Sequence, residues 1–198
     1  MIKVIIFDFG GVYLSDSFID FVNKAHKVLG VNKNFFSDKE VIFDVEFNKG
    51  EITIEECLKK YFKCKINKEQ MKKIISLWTK NWKPSGEMKK LVIKLKENYR
   101  LAVLSNSDAL NSLNYTKRGW YKYFNVLILS HELGIVKPQK EIYEIAVKKL
   151  KVEPEECLFI DDQRDCLKPA RKMGMATILF KSVSQLKKEL QERNIKFL

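Results

Sequence analysis

The stretch IKVIIFDFGGV (2–12) decides how the rest of the chain is read. Its opening run, IKVIIF (2–7), is rich in β-branched side chains and scarcely alternates, as a parallel strand covered on both faces requires. Asp8 follows immediately, and the pair Gly10–Gly11 comes two residues later. An acid at that point sits where open α/β sheets bind ligands, just beyond the carboxyl end of a strand. Four more runs share the character of the first: LAVLS (101–105), VLILS (126–130), CLFID (157–161) and ATILF (176–180). Helix-like segments lie between them at about 108–124, 138–151 and 163–174, and another follows at about 184–193. This alternation predicts an α/β fold: a Rossmann-like parallel sheet with helices on both faces and right-handed crossovers.

The first connection breaks the rhythm. About 93 residues separate Phe7 from Leu101, although a crossover needs only a dozen or so residues and one helix. GEMKKLVIKLKEN (86–98) supplies that helix, with Met88, Leu91, Val92 and Leu95 on one face. Upstream, residues 15–30, 37–48, 53–64 and 67–80 read as four further helices, the third opened by a capping box, Thr53 with Glu56. The expected organisation is a Rossmann-like core of residues 1–14 and 84–198, with residues 15–83 forming a helical cap inserted after the first strand.

Composition narrows the function classes. The chain has 198 residues, 45% hydrophobic and 31% charged, which is globular rather than disordered. The net charge of +12 is spread evenly. Residues 15–83 hold 14 basic and 10 acidic side chains, the remainder 23 and 15. No arm or block suits a nucleic-acid groove, so a lysine-rich surface that attracts small anions is expected and no nucleic-acid partner. Cys57, Cys64, Cys157 and Cys166 form no CxxC, and His26 and His131 form no zinc pattern. The N-terminal apolar run is too short for a signal peptide, and no 18-residue apolar stretch exists. A cytoplasmic protein with reduced thiols and no membrane partner is the expectation.

Polar groups recur where the strands end: Asp8, Ser105, and the pair Asp161–Asp162. Any one of these acids could be a helix cap, and Ser105 a turn residue. Together, three distant runs would bring carboxylates and a hydroxyl to one crevice.

FDFGGV (7–12), LSN (104–106), VKP (136–138) and FIDD (159–162) resemble, in order, the four motifs of the haloacid dehalogenase superfamily. The resemblance covers nearly the whole chain. NKGEIT (48–53), LSNSD (104–108), HELGIVKPQKEIY (131–143) and DCLKPARKMGMATIL (165–179) look most similar to bacterial sugar-phosphate phosphatases and to the N-terminal phosphatase domain of soluble epoxide hydrolase, although no epoxide-hydrolysing domain follows.

The resemblance implies a magnesium-dependent phosphomonoesterase acting on a small phosphorylated metabolite, a sugar phosphate first, through an aspartyl-phosphate on Asp8. It implies a magnesium (Mg2+) site built from Asp8, the carbonyl of Gly10, Asp161 and Asp162, with Asp162 the direct ligand and Asp161 sharing or orienting the ligand shell. Ser105 and Asn106 would bind a phosphoryl oxygen, the latter through its N–H or its amide. Lys137, its backbone held extended by Pro138, would neutralise phosphate and Asp8. Asp165 would either hold a metal-bound water or be solvated. A monomer or homodimer is expected.

Several residues have plain structural readings. His131 reads as a surface loop residue, His26 as solvent-facing on a helix, and Cys57 and Cys64 as partners on one helical face. Trp78 and Trp82 either line the substrate pocket or pack in the core. One departure stands out: many relatives place a second Asp two residues after the nucleophile as proton donor, and here that position is Gly10. Two alternatives follow. A 2-haloacid dehalogenase shares the Asp, Ser-Asn and Lys but lacks an acidic pair suited to magnesium, and a catalytically weakened binding or regulatory protein would account for Gly10.

Overall fold

The computed structural model describes residues 1–15, 18–30, 44–62, 65–80 and 82–197. Five parallel strands make the sheet: β1 (Val4–Phe7), β2 (Arg100–Ser105), β3 (Val126–Leu129), β4 (Cys157–Asp161) and β5 (Ala176–Leu179). They are the five expected runs, and their order is β3-β2-β1-β4-β5. β1 pairs with β2 through Phe7↔Val103 and, on its other edge, with β4 through Phe7↔Ile160. The chain therefore builds outward from β1 to β3, then returns to add β4 and β5 on the opposite side. The direction of winding reverses between β1 and β4, and it is there that a ligand crevice opens at the carboxyl ends.

Strand side chains alternate between two apolar layers. Ile5, Phe7, Leu101, Val103, Leu158 and Ile160 point to one side, where α5 (Gly86–Lys96) buries the expected Met88, Leu91, Val92 and Leu95. Val4, Ile6, Ala102, Leu104 and Phe159 point to the other. There α8 (Lys140–Leu150) and α9 (Arg164–Lys172) bury Ile142, Ala146, Leu167 and Ala170. α6 (Ala109–Lys117) follows β2, and α10 (Val183–Glu192) follows β5. Two details depart from expectation. The segment at 108–124 is a helix only to Lys117, followed by a separate 3-10 turn at Tyr121–Tyr123. A one-turn helix, α7 (Ser130–Leu133), replaces a loop after β3.

Between β1 and α5 lie α1 (Phe18–Leu29), α2 (Val45–Asn48), α3 (Ile54–Tyr61) and α4 (Lys68–Lys80). Residues 37–43 of the second expected helix, and Cys64 with its expected pairing beside Cys57, fall outside the described residues. The capping box forms as read: Thr53 Oγ1 accepts from Glu56 N at 3.2 Å, and Thr53 N donates to Glu56 Oε2 at 2.7 Å. α1 packs on α4, and α4 on α6. His26 is buried rather than solvent-facing, because it lies one helical turn from buried Val22 and beside buried Ala25. The stretch returns to the sheet beside its point of departure, with Leu14 bridged to Pro84 and Ser15 N donating to Lys83 O at 3.0 Å.

Candidate active site

Asp8 leaves β1 with its carboxylate turned into the crevice and 5% of the residue exposed. Its Oδ1 accepts from Phe9 N at 2.7 Å and from Lys137 Nζ at 2.9 Å. Lys137 Nζ also donates to Asp161 Oδ2 at 2.6 Å, so one buried ammonium bridges acids from two neighbouring strands. The second oxygen of Asp161 accepts from Gln163 N at 2.7 Å. Asp162 lies at the exposed rim. Asp8, Asp161 and Asp162 can each bring a carboxylate oxygen within 4.8 Å of the others.

The electrostatics follow from one cation serving three acids. Burial raises the Asp8 pKa to about 7, against the pull of Lys137 and with Asp161 and Asp162 adding to the rise. Burial alone would lower the Lys137 pKa, but Asp161 and Asp8 outweigh it and hold it well above its ordinary value. The lysine is thus overcompensated while Asp8 is undercompensated. A divalent cation is the counter-charge this carboxylate set fits, and hard oxygen donors suit magnesium.

The loop bearing Lys137 is held from β2. Asn106 Oδ1 accepts from Lys137 N at 2.7 Å, and Asn106 Nδ2 donates to Lys137 O at 3.0 Å. The side-chain amide is therefore engaged with the lysine backbone, leaving the Asn106 N–H of the two expected phosphate contacts. Ser105 is buried and donates to Asn106 O at 3.2 Å. Asp165 is exposed and pairs with Lys168 at 2.7 Å, which lowers its pKa.

The two glycines differ. A Cβ on Gly10 would meet no atom within 4 Å, whereas Gly11 has φ +78° and a Cβ there would collide with the Asp162 carboxylate. Gly11 thus lets β1's loop pass close under Asp162, a constraint visible in sequence only as a second glycine.

Beside Ser105 lies a cleft lined by Phe9, Gly10 and residues 105–108 together with Asn48, Trp78 and Trp82. Both readings of the tryptophans hold, since each is buried and each lines this cleft. Asp108, at the N-cap of α6, accepts from Asn111 N at 2.9 Å and from Trp78 Nε1 at 3.3 Å, tying α4 to α6. Ser130 Oγ donates to Asn48 O at 2.5 Å and accepts from Ser107 N at 2.9 Å, tying α2 to the core. Gly50 (φ +75°) lets its segment approach α7, since a Cβ there would stand 3.0 Å from His131 O. His131 is half-buried on α7, with Nδ1 3.0 Å from Ser107 Oγ, rather than in a surface loop. Sequence reasoning missed Asp108, Asn111 and Ser130 as parts of this wall; only Asp108 carried a signal, as the Asp preceding a helix.

The profile of the haloacid dehalogenase-like hydrolases matches residues 2–174. The chain belongs to that family. It is 25% identical over 207 residues to the D-ribitol-5-phosphate phosphatase of Bacteroides thetaiotaomicron, covering 96% of this chain and 97% of that one. It is 37% identical over 89 residues to bifunctional epoxide hydrolase 2 of Rattus norvegicus, a match spanning 45% of this chain and 16% of that longer protein. A haloacid dehalogenase-family enzyme from B. thetaiotaomicron, solved in complex with magnesium and inorganic phosphate, has the same fold. Its TM-score is 0.72 at 24% identity, over 94% of this chain and 99% of that one. The site described above is therefore built on a haloacid dehalogenase-like scaffold, with its four motif segments meeting at the β1/β4 reversal.

Proposed function

We propose that this hydrolase is a magnesium-dependent phosphomonoesterase of a small phosphorylated metabolite, with Asp8 as nucleophile. The observation that carries the reading is the convergence of Asp8, Asp161 and Asp162, with a single buried lysine bridging the first two. Asp8 Oδ1 is held by two donors, while Oδ2 has no hydrogen bond among the described residues, which leaves it for attack. In the first step the Asp8 oxygen bonds to phosphorus as the ester P–O bond breaks, and, with Gly10 offering no acid, the departing oxygen leaves as an anion or takes its proton from water. In the second, water attacks phosphorus, releasing phosphate and restoring Asp8.

The remaining residues bind and orient. The Asn106 N–H and Ser105 would hold phosphoryl oxygens, and Lys137 would stabilise charge on phosphate while keeping Asp8 ionised. Asp8, Asp162 and the carbonyl of Gly10 would hold magnesium, and Asp161, both oxygens already engaged, would orient Lys137 and the shell. When bound, the ion supplies charge neutralisation between the carboxylate and the incoming phosphate. Residues 15–83 would act as a cap that excludes water from the cleft and shapes specificity. The D-ribitol-5-phosphate phosphatase relationship over nearly full length supports a sugar phosphate as substrate. Among the described residues no helix is long and apolar enough to cross a membrane.

The test is phosphate release from a panel of phosphomonoesters, with and without chelator. Magnesium-dependent release is expected. Chelator-resistant release contradicts the metal, and metal-free dehalogenation of 2-chloropropionate establishes the dehalogenase instead.

A further inference from the structure

We propose that Trp82 and Asn111 form a hydroxyl-recognition subsite, and that the substrate's leaving group is a neutral, hydroxylated carbon chain rather than a second anion. The inference rests on the phosphatase reading and narrows it. Both residues line the cleft that also contains Gly10 and Ser105, so they face the leaving-group side of the reaction centre. Among the described residues, Trp82 Nε1 is a buried donor without a hydrogen-bond partner, and Asn111 Oδ1 is a buried acceptor without one. The two come from different parts of the chain, one just beyond α4 and the other within α6.

Buried polar groups are nearly always paired, so one orphan asks for explanation and a complementary couple in one cleft asks for a ligand. A hydroxyl both accepts and donates, and can answer either atom or both. An alkyl chain answers neither. The aromatic faces of Phe9, Trp78, Trp82 and Tyr115 supply the apolar surface on which a carbon chain lies.

Charge completes the selection. Among the described residues lining the cleft there is no lysine or arginine, whereas Asp108 is buried there. Asp108 accepts from Trp78 Nε1, Asn111 N and Asn111 Nδ2. These donors favour the carboxylate form, but burial outweighs them and holds the Asp108 pKa above its ordinary value, so the wall is poorly suited to any further anion. A carboxylate or second phosphate on the substrate would enter a cleft that already buries an acidic side chain and offers no cation among its described lining residues. Such a group is rejected for the same reason that an unpaired buried charge is costly.

The experiment compares kcat/KM for four phosphomonoesters: a hexitol 6-phosphate, the matching six-carbon aldonic acid 6-phosphate, n-hexyl phosphate and p-nitrophenyl phosphate. The hexitol phosphate is expected to exceed both the aldonate and the hexyl ester by about tenfold or more. Trp82→Phe keeps the ring and removes the donor, and should lower the hexitol-to-hexyl ratio about three- to tenfold. A measured melting temperature for that variant separates loss of the hydrogen bond from loss of the fold. If p-nitrophenyl phosphate is hydrolysed but the aldonate or hexyl ester matches the hexitol, the inference is wrong and the phosphatase reading stands. An unchanged ratio in a folded Trp82→Phe protein also overturns the assignment of Trp82. Failure to hydrolyse any of the four overturns the phosphatase reading, and the inference with it.

Discussion

Lys137 is the residue on which the site's charge balance and, in the proposed mechanism, its chemistry both turn. It is buried between Asp8 and Asp161, 2.9 and 2.6 Å from their oxygens. Removing one partner of a buried ion pair typically costs about 3–5 kcal/mol, because the other charge is left uncompensated. Lys137→Ala should therefore lower both the melting temperature and kcat/KM, and added magnesium should recover part of the stability by replacing the lost charge. Thermal unfolding with and without the ion checks this, and a variant as stable as wild type in chelator would contradict it. Gly10 poses the opposite question, since in the proposed mechanism its position lacks the side chain that would donate a proton. With open space around a Cβ at Gly10, Gly10→Asp should fold. It should accelerate alkyl phosphates by up to about 10²-fold while changing aryl phosphates little, because phenolate needs no acid. Gly11→Ala, by contrast, should lose stability: the left-handed backbone costs about 1–2 kcal/mol for a non-glycine residue, and the methyl would displace Asp162. Equal acceleration of both ester classes by a folded Gly10→Asp would mean that another group already supplies the proton.

The elements explain what could be read in advance and what could not. Five apolar runs became five strands, because a strand covered on both faces must be apolar throughout, and that pattern is local. Asp8, Ser105 and Asp161 were readable as a set for the same reason: each ends such a run. The joinery between elements was not readable. Asn106 spends its amide on both backbone groups of Lys137, a pairing 31 residues apart that no spacing announces. Ser130 Oγ reaches Asn48 O across 82 residues, and His26 turned inward because its neighbours on one face of α1 are apolar, despite the flanking lysines. Asn106→Ala should consequently act at the level of the loop rather than the phosphate alone. Freed from two hydrogen bonds, each worth about 0.5–1.5 kcal/mol, the 136–138 segment should lose its fixed position. The expected result is a fall in kcat larger than the rise in KM for an aryl phosphate; a pure KM effect would show that Asn106 serves substrate binding only.

For the whole molecule, the central question is how a crevice with three acids and one lysine is balanced. Asp8 is raised in the folded state to about 7 by burial and by Asp161 and Asp162. The folded protein therefore binds a proton there that the unfolded chain has already released above its ordinary carboxylate pKa. Without metal, this group makes stability fall as pH rises from about 4 to 7. The surface acids held low by lysine partners, exposed Glu69 and Asp165 and half-buried Glu156, act with the opposite sign, but only below the ordinary carboxylate range. Melting curves in chelator should decline between pH 5 and 7.5. Magnesium should raise the melting temperature more at pH 7.5 than at pH 5, because it favours ionised Asp8. An ion effect independent of pH would place the cation elsewhere.

The covalent role of Asp8 is tested most directly by phosphate release from p-nitrophenyl phosphate, comparing wild type with Asp8→Asn in saturating magnesium. The amide is a poor nucleophile and removes charge from the cation site, so the rate should fall by about 10³-fold or more, with the variant still folded by its melting curve. A folded Asp8→Asn protein that retains a tenth of wild-type activity would contradict the account.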